Sequence, residues 1–356
     1  MKIFDAIIIG AGQAGPSLAG RLTAAGKKVA LIERKLVGGT CVNTGCMPTK
    51  AMVASAYAAH LARRGADYGV VTGNISIDFA KVMARKDKVR FDARKGNEDW
   101  LAGMEGLTLL RGHARFESPT EVRVGDALLS AKQIFLNVGG RAVVPDFPGV
   151  GDVPHLDNVS MMELAEVPKH LVIVGGSYIG LEFAQMFRRF GSEVTVIEKG
   201  PRLIAREDED VSAAVRDILE RESIAIRTGA ECIRFFKHDD GVGVGVDCTA
   251  GAPEIVGSHI LLATGRRPNT DDLDLDKAGV ATDGRGYITV DERLETNVPG
   301  IFAMGDCNGR GAFTHTAYND FEIVAANLLD NEPRKVSDRI QTYALYIDPP
   351  LGRAGM

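Results

Sequence analysis

The stretch Ile7-Ile8-Ile9-Gly10-Ala11-Gly12-Gln13-Ala14-Gly15 runs from an apolar, β-branched segment into three spaced glycines. Residues 3–9 read as a buried strand. A helix is expected behind the glycines to about residue 25, then a second strand over 28–32 that ends at Glu33. Strand, glycine turn, helix, strand and acid in this order make a dinucleotide-binding unit. Gly10 permits the tight turn, Gly12 lets the backbone approach a pyrophosphate, and Gly15 lets the helix pack close on the strand. N–H groups at the helix start would hold phosphates. Glu33, 18 residues past Gly15, would accept hydrogen bonds from a ribose hydroxyl.

The same unit returns at a constant offset of 165 residues, which takes Gly10 to Gly175, Gly15 to Gly180, Gly26 to Gly191 and Glu33 to Glu198. A strand is expected over 171–174, a helix over 178–190 and a strand over 193–197. The chain is therefore read as α/β, with two Rossmann-like dinucleotide-binding domains. Two such sites in one chain suggest two dinucleotides that meet. Ser177 stands where the middle glycine of the second turn belongs. Serine is small, so a tighter approach is expected there rather than a lost site.

Between the first unit and its repeat lies Gly39-Thr40-Cys41-Val42-Asn43-Thr44-Gly45-Cys46-Met47-Pro48-Thr49-Lys50. The chain has five cysteines, at 41, 46, 232, 248 and 307, too few for a disulfide framework in a chain of this size. A close pair reads as a redox pair that opens and closes. A helix expected over 49–63 would set its positive end beside Cys46 and favour a thiolate. Two buried apolar cysteines, or half of a metal site, are the alternatives. No second pair or ligand-spaced histidines accompany them, so no metal site is expected.

The run from Gly39 to Lys50 resembles the active-site signature of the class I pyridine nucleotide-disulfide oxidoreductases, which include dihydrolipoamide dehydrogenase, mercuric reductase and flavoprotein copper(II) reductases. More of that family's motifs follow in order. Val138-Gly139-Gly140-Arg141 closes the first part, Ala263-Thr264-Gly265-Arg266-Arg267-Pro268-Asn269 is similar to the family's crossover run, and Ile301-Phe302-Ala303-Met304-Gly305-Asp306 to its second flavin motif. The resemblance implies a glutathione reductase-like fold, an FAD domain with an NAD(P) domain inserted. Its parts would be 1–150 and 269–337 for FAD, 151–268 for NAD(P), and 338–356 for the start of an interface domain. Cofactor contacts would come from Gly10, Gly12, Gly15, Glu33, Gly39, Thr40, Lys50, Gly140, Gly175, Gly180, Glu198, Gly265 and Asp306, with Asp306 on a ribityl hydroxyl of FAD. Electrons would pass from a nicotinamide through FAD to a Cys41–Cys46 disulfide, and then to a small disulfide or a metal ion. The resemblance makes Cys46 the flavin-facing sulfur, Cys41 the interchange thiol, and Lys50 a flavin neighbour paired with Glu182. Glu198 favours NADH by repelling a 2′-phosphate, although Lys199 and Arg202 could offset it for NADPH.

Family members carry a C-terminal interface domain with a His-Pro pair whose histidine serves the partner chain. None of the seven histidines here precedes a proline, and the chain is expected to be truncated, which puts both dimerisation and substrate turnover in doubt. His315 is the best local substitute, with a structural or flavin-adjacent place expected. A flavin-only NADH oxidase or metal-ion reductase, or a non-catalytic FAD-binding fragment, are the other readings. A net charge of −5 argues against nucleic-acid or membrane-surface partners. No apolar run is long enough to span a bilayer and no signal peptide is read, so the cytoplasm is the default location. The remaining expectations are helices over 78–101, 208–221 and 317–329, and strands over 107–110, 121–124, 133–138, 224–227, 242–246 and 255–262. The basic run 81–95 reads as a solvated helix face around Val82, Val89 and Phe91.

Overall fold

The first glycine turn leaves the middle of a five-stranded parallel sheet. In this computed structural model, which describes residues 1–247 and 253–355, Ala6–Ile9 lies between Val29–Glu33 and Gln133–Leu136. Leu107–Arg111 and Ile301–Ala303 form the two edges. Every residue of Ala6–Ile9 and Val29–Glu33 is buried, as expected of parallel strands covered on both faces. The helix Ala14–Ala24 seals one face with Leu18, Ala19 and Leu22.

The second unit repeats this architecture down to the register. Ala6 pairs with Val29 in the first sheet, and Leu171 with Val194 in the second. Its strands run Ala225–Arg227, Glu193–Ile197, His170–Val174, His259–Leu262. Each unit also carries an antiparallel meander. The first is Ala114–Ser118, Glu121–Val124 and Ala127–Ser130; the second is Glu231–His238, Gly241–Asp247 and Glu254–Gly257. Gly140–Ala142 and Arg266–Pro268 pair antiparallel where the chain crosses between the units. Ile301–Ala303 then completes the first sheet, so the second unit is inserted within the first.

The turns repeat at atomic scale. A Cβ on Gly10 would lie 2.3 Å from the carbonyl oxygen of Asn137, and one on Gly175 would lie 2.3 Å from that of Ala263. A Cβ on Gly15 or Gly180 would strike the carbonyl oxygen of Gly10 or Gly175, at 2.3 and 2.1 Å.

Several expected elements differ in detail. The strand over 3–9 is two pieces. Lys2–Ile3 joins Ala127–Ser130 of the meander, and Asp5 interrupts by accepting the Lys28 N–H at 2.8 Å. The strand over 133–138 stops at Leu136, before Gly139 with φ 63°. The strand over 255–262 is split at Ser258, and its halves belong to different sheets. The helix placed at 49–63 begins earlier and spans Cys46–Arg64, and that placed at 317–329 is Thr314–Ala325 followed by a wide turn over Ala326–Asp330. Phe79–Ala102 is capped by Asp78, which accepts the Lys81 N–H. Its basic face is not wholly solvated: Lys86 is buried, donates to the Met162 carbonyl and pairs with Asp87 at 2.9 Å. A hairpin of Thr342–Leu345 and Leu351–Ala354 was not foreseen. Cys248 lies outside the described residues. Among those residues no helix is long and apolar enough to cross a membrane.

Two substitutions separate conformational strain from backbone collision. Gly191 has φ 114° and open space where a Cβ would sit. Gly191→Ala should cost about 1 kcal/mol, and Gly180→Ala about 3 kcal/mol or more, because only the second drives a carbon into a carbonyl. Denaturant midpoints measure both; equal losses would refute the collision argument.

Candidate active site

The two cysteines sit on consecutive helices. Cys41 lies in the short helix Gly39–Asn43, and Cys46 is the first residue of Cys46–Arg64. The link is tightly held. Asn43 is buried and its amide donates to the carbonyls of Val37 and Gly39, both at 2.9 Å. Asn158 donates to the Thr44 carbonyl at 3.1 Å. The long helix packs Met52 and Ala56 into a core with Phe183 and Phe187 of the second unit. One face of the redox segment is thereby seated on the helix Tyr178–Phe190.

Both sulfurs are free thiols, Cys41 half-buried and Cys46 exposed. The Cys46 sulfur lies 3.1 Å from the hydroxyl of Thr314. A hydrogen bond from Cys41 draws the Cys46 pKa down to about 6; the Thr314 hydroxyl and the Lys50 ammonium assist, against the opposing effect of burial. The same hydrogen bond, with burial, pushes Cys41 up. One proton is thus kept on Cys41 and the charge on Cys46.

Lys50, one turn along the helix, meets Glu182 with Nζ 2.5 Å from Oε2. Glu182 is buried and also accepts the Tyr346 N–H at 3.0 Å. The Lys50 ammonium lies over the Tyr346 ring, 4.5 Å from its centre.

The two glycine turns fit dinucleotides. The helices Ala14–Ala24 and Tyr178–Phe190 both start without a side-chain cap, so their first N–H groups remain for phosphate. Glu33 accepts N–H groups of Ala11 at 2.9 Å and Lys35 at 2.7 Å. Glu198 accepts those of Gly176 at 2.6 Å and Gly200 at 2.7 Å. Each carboxylate is fixed at the strand end and keeps lone pairs for ribose hydroxyls. A Cβ on Gly39 would lie 2.9 Å from the Cα of Gly12, so these two backbones line one crevice with exposed Thr40 beside it. Gly140 packs under Asp306, where a Cβ would meet the Asp306 Cβ at 3.8 Å. Burial pushes the Asp306 carboxyl up, opposed by Arg266 with its Nε 3.7 Å away. Such a carboxylate is well suited to hydroxyl donors. Gly265 (φ 133°) stands in open space at the crossover. Ser177 is exposed and extended, and the close contact with Glu198 falls to Gly176 instead.

His315 lies next to Thr314 and turns away from the cysteines. Its Nε2 sits 2.5 Å from the Thr342 carbonyl and its ring stacks on Phe313. Sequence reasoning missed Thr314, Asn158 and Tyr346, which reach the site only through tertiary packing. Asn43 lay inside the cysteine run, and a polar residue in such a tight turn was its signal.

Comparisons with known proteins give the family. The sequence profile of the pyridine nucleotide-disulphide oxidoreductase family matches residues 4–320. The chain is 36% identical over 364 residues to the probable pyridine nucleotide-disulfide oxidoreductase RclA of Escherichia coli, covering 100% of this chain and 78% of that protein. It is 36% identical to a dihydrolipoyl dehydrogenase of Thermus scotoductus, over 92% of this chain and 71% of that one. A solved Cu(II) complex of the HOCl-induced flavoprotein disulfide reductase RclA from Escherichia coli superposes with a TM-score of 0.90, 36% identity, and coverage of 100% of this chain and 78% of that chain. The chain belongs to the pyridine nucleotide-disulphide oxidoreductase family. It is an α/β oxidoreductase of the glutathione reductase-like fold, and its cofactors are FAD and NAD(P)H.

The thiolate assignment predicts a pH profile. In the reduced protein, alkylation of Cys46 by iodoacetamide should reach half its limiting rate at about pH 6, with the rate rising with pH as the thiolate forms. Site-resolved mass spectrometry measures it. A midpoint near an ordinary thiol, at about pH 8.5, would refute the assignment.

Proposed function

We propose that this chain passes electrons from NADH, by way of FAD, to a Cys41–Cys46 disulfide and from there to a small disulfide or a metal ion. The observation that carries this reading is the asymmetry of the two thiols, with the charge on Cys46 beside Lys50 and Thr314 and the proton on Cys41. We assign 1–150 and 269–337 to FAD, 151–268 to the nicotinamide, and 338–356 to the start of an interface domain; the inserted topology supports this division.

FAD, when bound, supplies two-electron transfer between nicotinamide and disulfide. Gly10, Gly12, Gly15 and Glu33 would hold its adenosine diphosphate half, and Gly39, Thr40, Gly140, Gly265, Asp306 and Lys50 the rest. Gly175, Gly180 and Glu198 would hold the nicotinamide dinucleotide. Two electrons and one proton break the S–S bond and leave Cys46 as thiolate and Cys41 as thiol. Cys41 then attacks a substrate disulfide, and its proton passes to the substrate sulfur that leaves, which departs as a thiol. Cys46 attacks Cys41 in the mixed disulfide, releases the second substrate sulfur as a thiolate and restores the pair. With a metal ion, the two sulfurs offer soft ligands instead. The Cu(II) complex of the related flavoprotein favours keeping this second substrate class in view. A homodimer is expected by analogy with the family.

The preference for NADH rests on Arg202. It pairs with Glu209 at 2.9 Å and donates to the carbonyls of Ala205 and Glu207, so it is committed elsewhere, while the Glu198 carboxylate faces the turn. Glu198→Arg should raise the NADPH-to-NADH ratio of kcat/KM by about tenfold or more, equal to about 1.4 kcal/mol. An unchanged ratio would refute the cofactor argument.

Anaerobic titration of the FAD-loaded chain with one equivalent of NADH tests the relay. Cys41 and Cys46 should both become newly alkylatable, and neither should in the Cys46→Ser variant. Bleaching of the flavin without new thiols would mean that electrons stop at FAD.

A further inference from the structure

We propose that Thr314 is a positioning residue of the redox pair, whose hydroxyl donates a hydrogen bond to the Cys46 sulfur and stabilises the thiolate there. This rests on the disulfide-relay reading, because it gives Thr314 a task only if Cys46 works as a thiolate.

The contact is 3.1 Å between Oγ1 and Sγ. A thiolate has no proton to give, so the hydroxyl is the donor. Thr314 is also the first residue of the twelve-residue helix Thr314–Ala325. Cys46 therefore lies where two helices begin, its own and that of Thr314, and both positive ends favour its charge. The hydroxyl is held in place. The Phe313 N–H donates to Thr316 Oγ1 at 3.0 Å, which fixes the helix start. Further along, buried Asp320 accepts the Gly305 N–H at 2.7 Å and the Asn308 amide at 2.8 Å, and pairs with Arg339. The helix is thereby pinned to the Gly305-Asp306 turn and cannot slide past Cys46.

The other groups facing the sulfur are few. Cys41 comes from the short helix, and Lys50 from the long one with its charge shared by Glu182. His315 is held at the Thr342 carbonyl. Thr314 also favours charge on Cys41, but there the hydrogen bond to Cys46 and burial outweigh it. Apart from the Cys41 thiol, the hydroxyl is a neutral donor that a single substitution removes without touching the ion pair.

The test uses the full FAD-loaded chain, reduced anaerobically with dithiothreitol, with iodoacetamide alkylation of Cys46 followed from about pH 5 to about pH 9. In Thr314→Val, similar in shape but without the hydroxyl, the midpoint should rise by about one pH unit, with an alkylation rate about tenfold lower below the midpoint. Thr314→Ser should restore it, and Thr314→Ala, which serves if the valine variant loses FAD, should behave like valine. An unchanged midpoint in either variant with full FAD content overturns the proposal, as does a serine variant that behaves like valine. If the unaltered protein shows no low-pH wave at Cys46, the relay reading fails instead.

Discussion

At Gly15 and Gly180 a helix lies against the carbonyl of the turn that leads into it, with no room for one more carbon atom. Most of the architecture follows from that contact. It brings each helix start close to a strand end, and leaves uncapped N–H groups facing the crevice at the carboxyl edge of a parallel sheet. The acid at the end of the next strand is then drawn onto the turn itself, Glu33 on Ala11 and Glu198 on Gly176. N–H groups free to meet an anion and a carboxylate with lone pairs to spare are thus set close together by backbone geometry.

This part of the molecule was legible in sequence because local rules govern it. The outer glycines, the apolar runs and the closing acid recur at a constant offset in both units, and the strand registers repeat with them. The meanders were read only in part, because strands such as Ala127–Ser130 are four residues long and gain their place from neighbours rather than from propensity. The split at Ser258 shows the limit well. The run 255–262 is uniformly strand-like, yet Glu254–Gly257 follows the meander and His259–Leu262 enters the parallel sheet. Thr314 and Tyr346 were invisible for a different reason: they lie hundreds of residues from the cysteine pair, and no spacing rule links them. Ser177 is instructive too. It breaks the motif, and the close contact with Glu198 is made by Gly176, one residue earlier.

The site itself is a meeting of two units. Cys46 and Lys50 lie on a helix whose apolar face, through Met52 and Ala56, is shared with the second unit. Glu182 comes from the helix behind the second glycine turn, and Thr314 from the helix behind the Gly305-Asp306 turn. No single element builds the electrostatics. Burial alone would push both thiols up; the hydrogen bond between them breaks the symmetry, and the lysine and threonine deepen it.

The hairpin of Thr342–Leu345 and Leu351–Ala354 follows the first sheet in the chain but is fastened to the second. Tyr343 and Arg353 bond to Glu207, Asp348 to Arg189, and the Tyr346 N–H to Glu182. It is tied to the first unit as well, where the Thr342 carbonyl meets His315 Nε2 and the Tyr343 ring stacks on Phe313. Tyr346 lays its ring over Lys50 while its backbone N–H meets Glu182, so one segment touches both members of the ion pair. The same ammonium group lowers the Cys46 pKa, so the hairpin reaches the thiolate through Lys50.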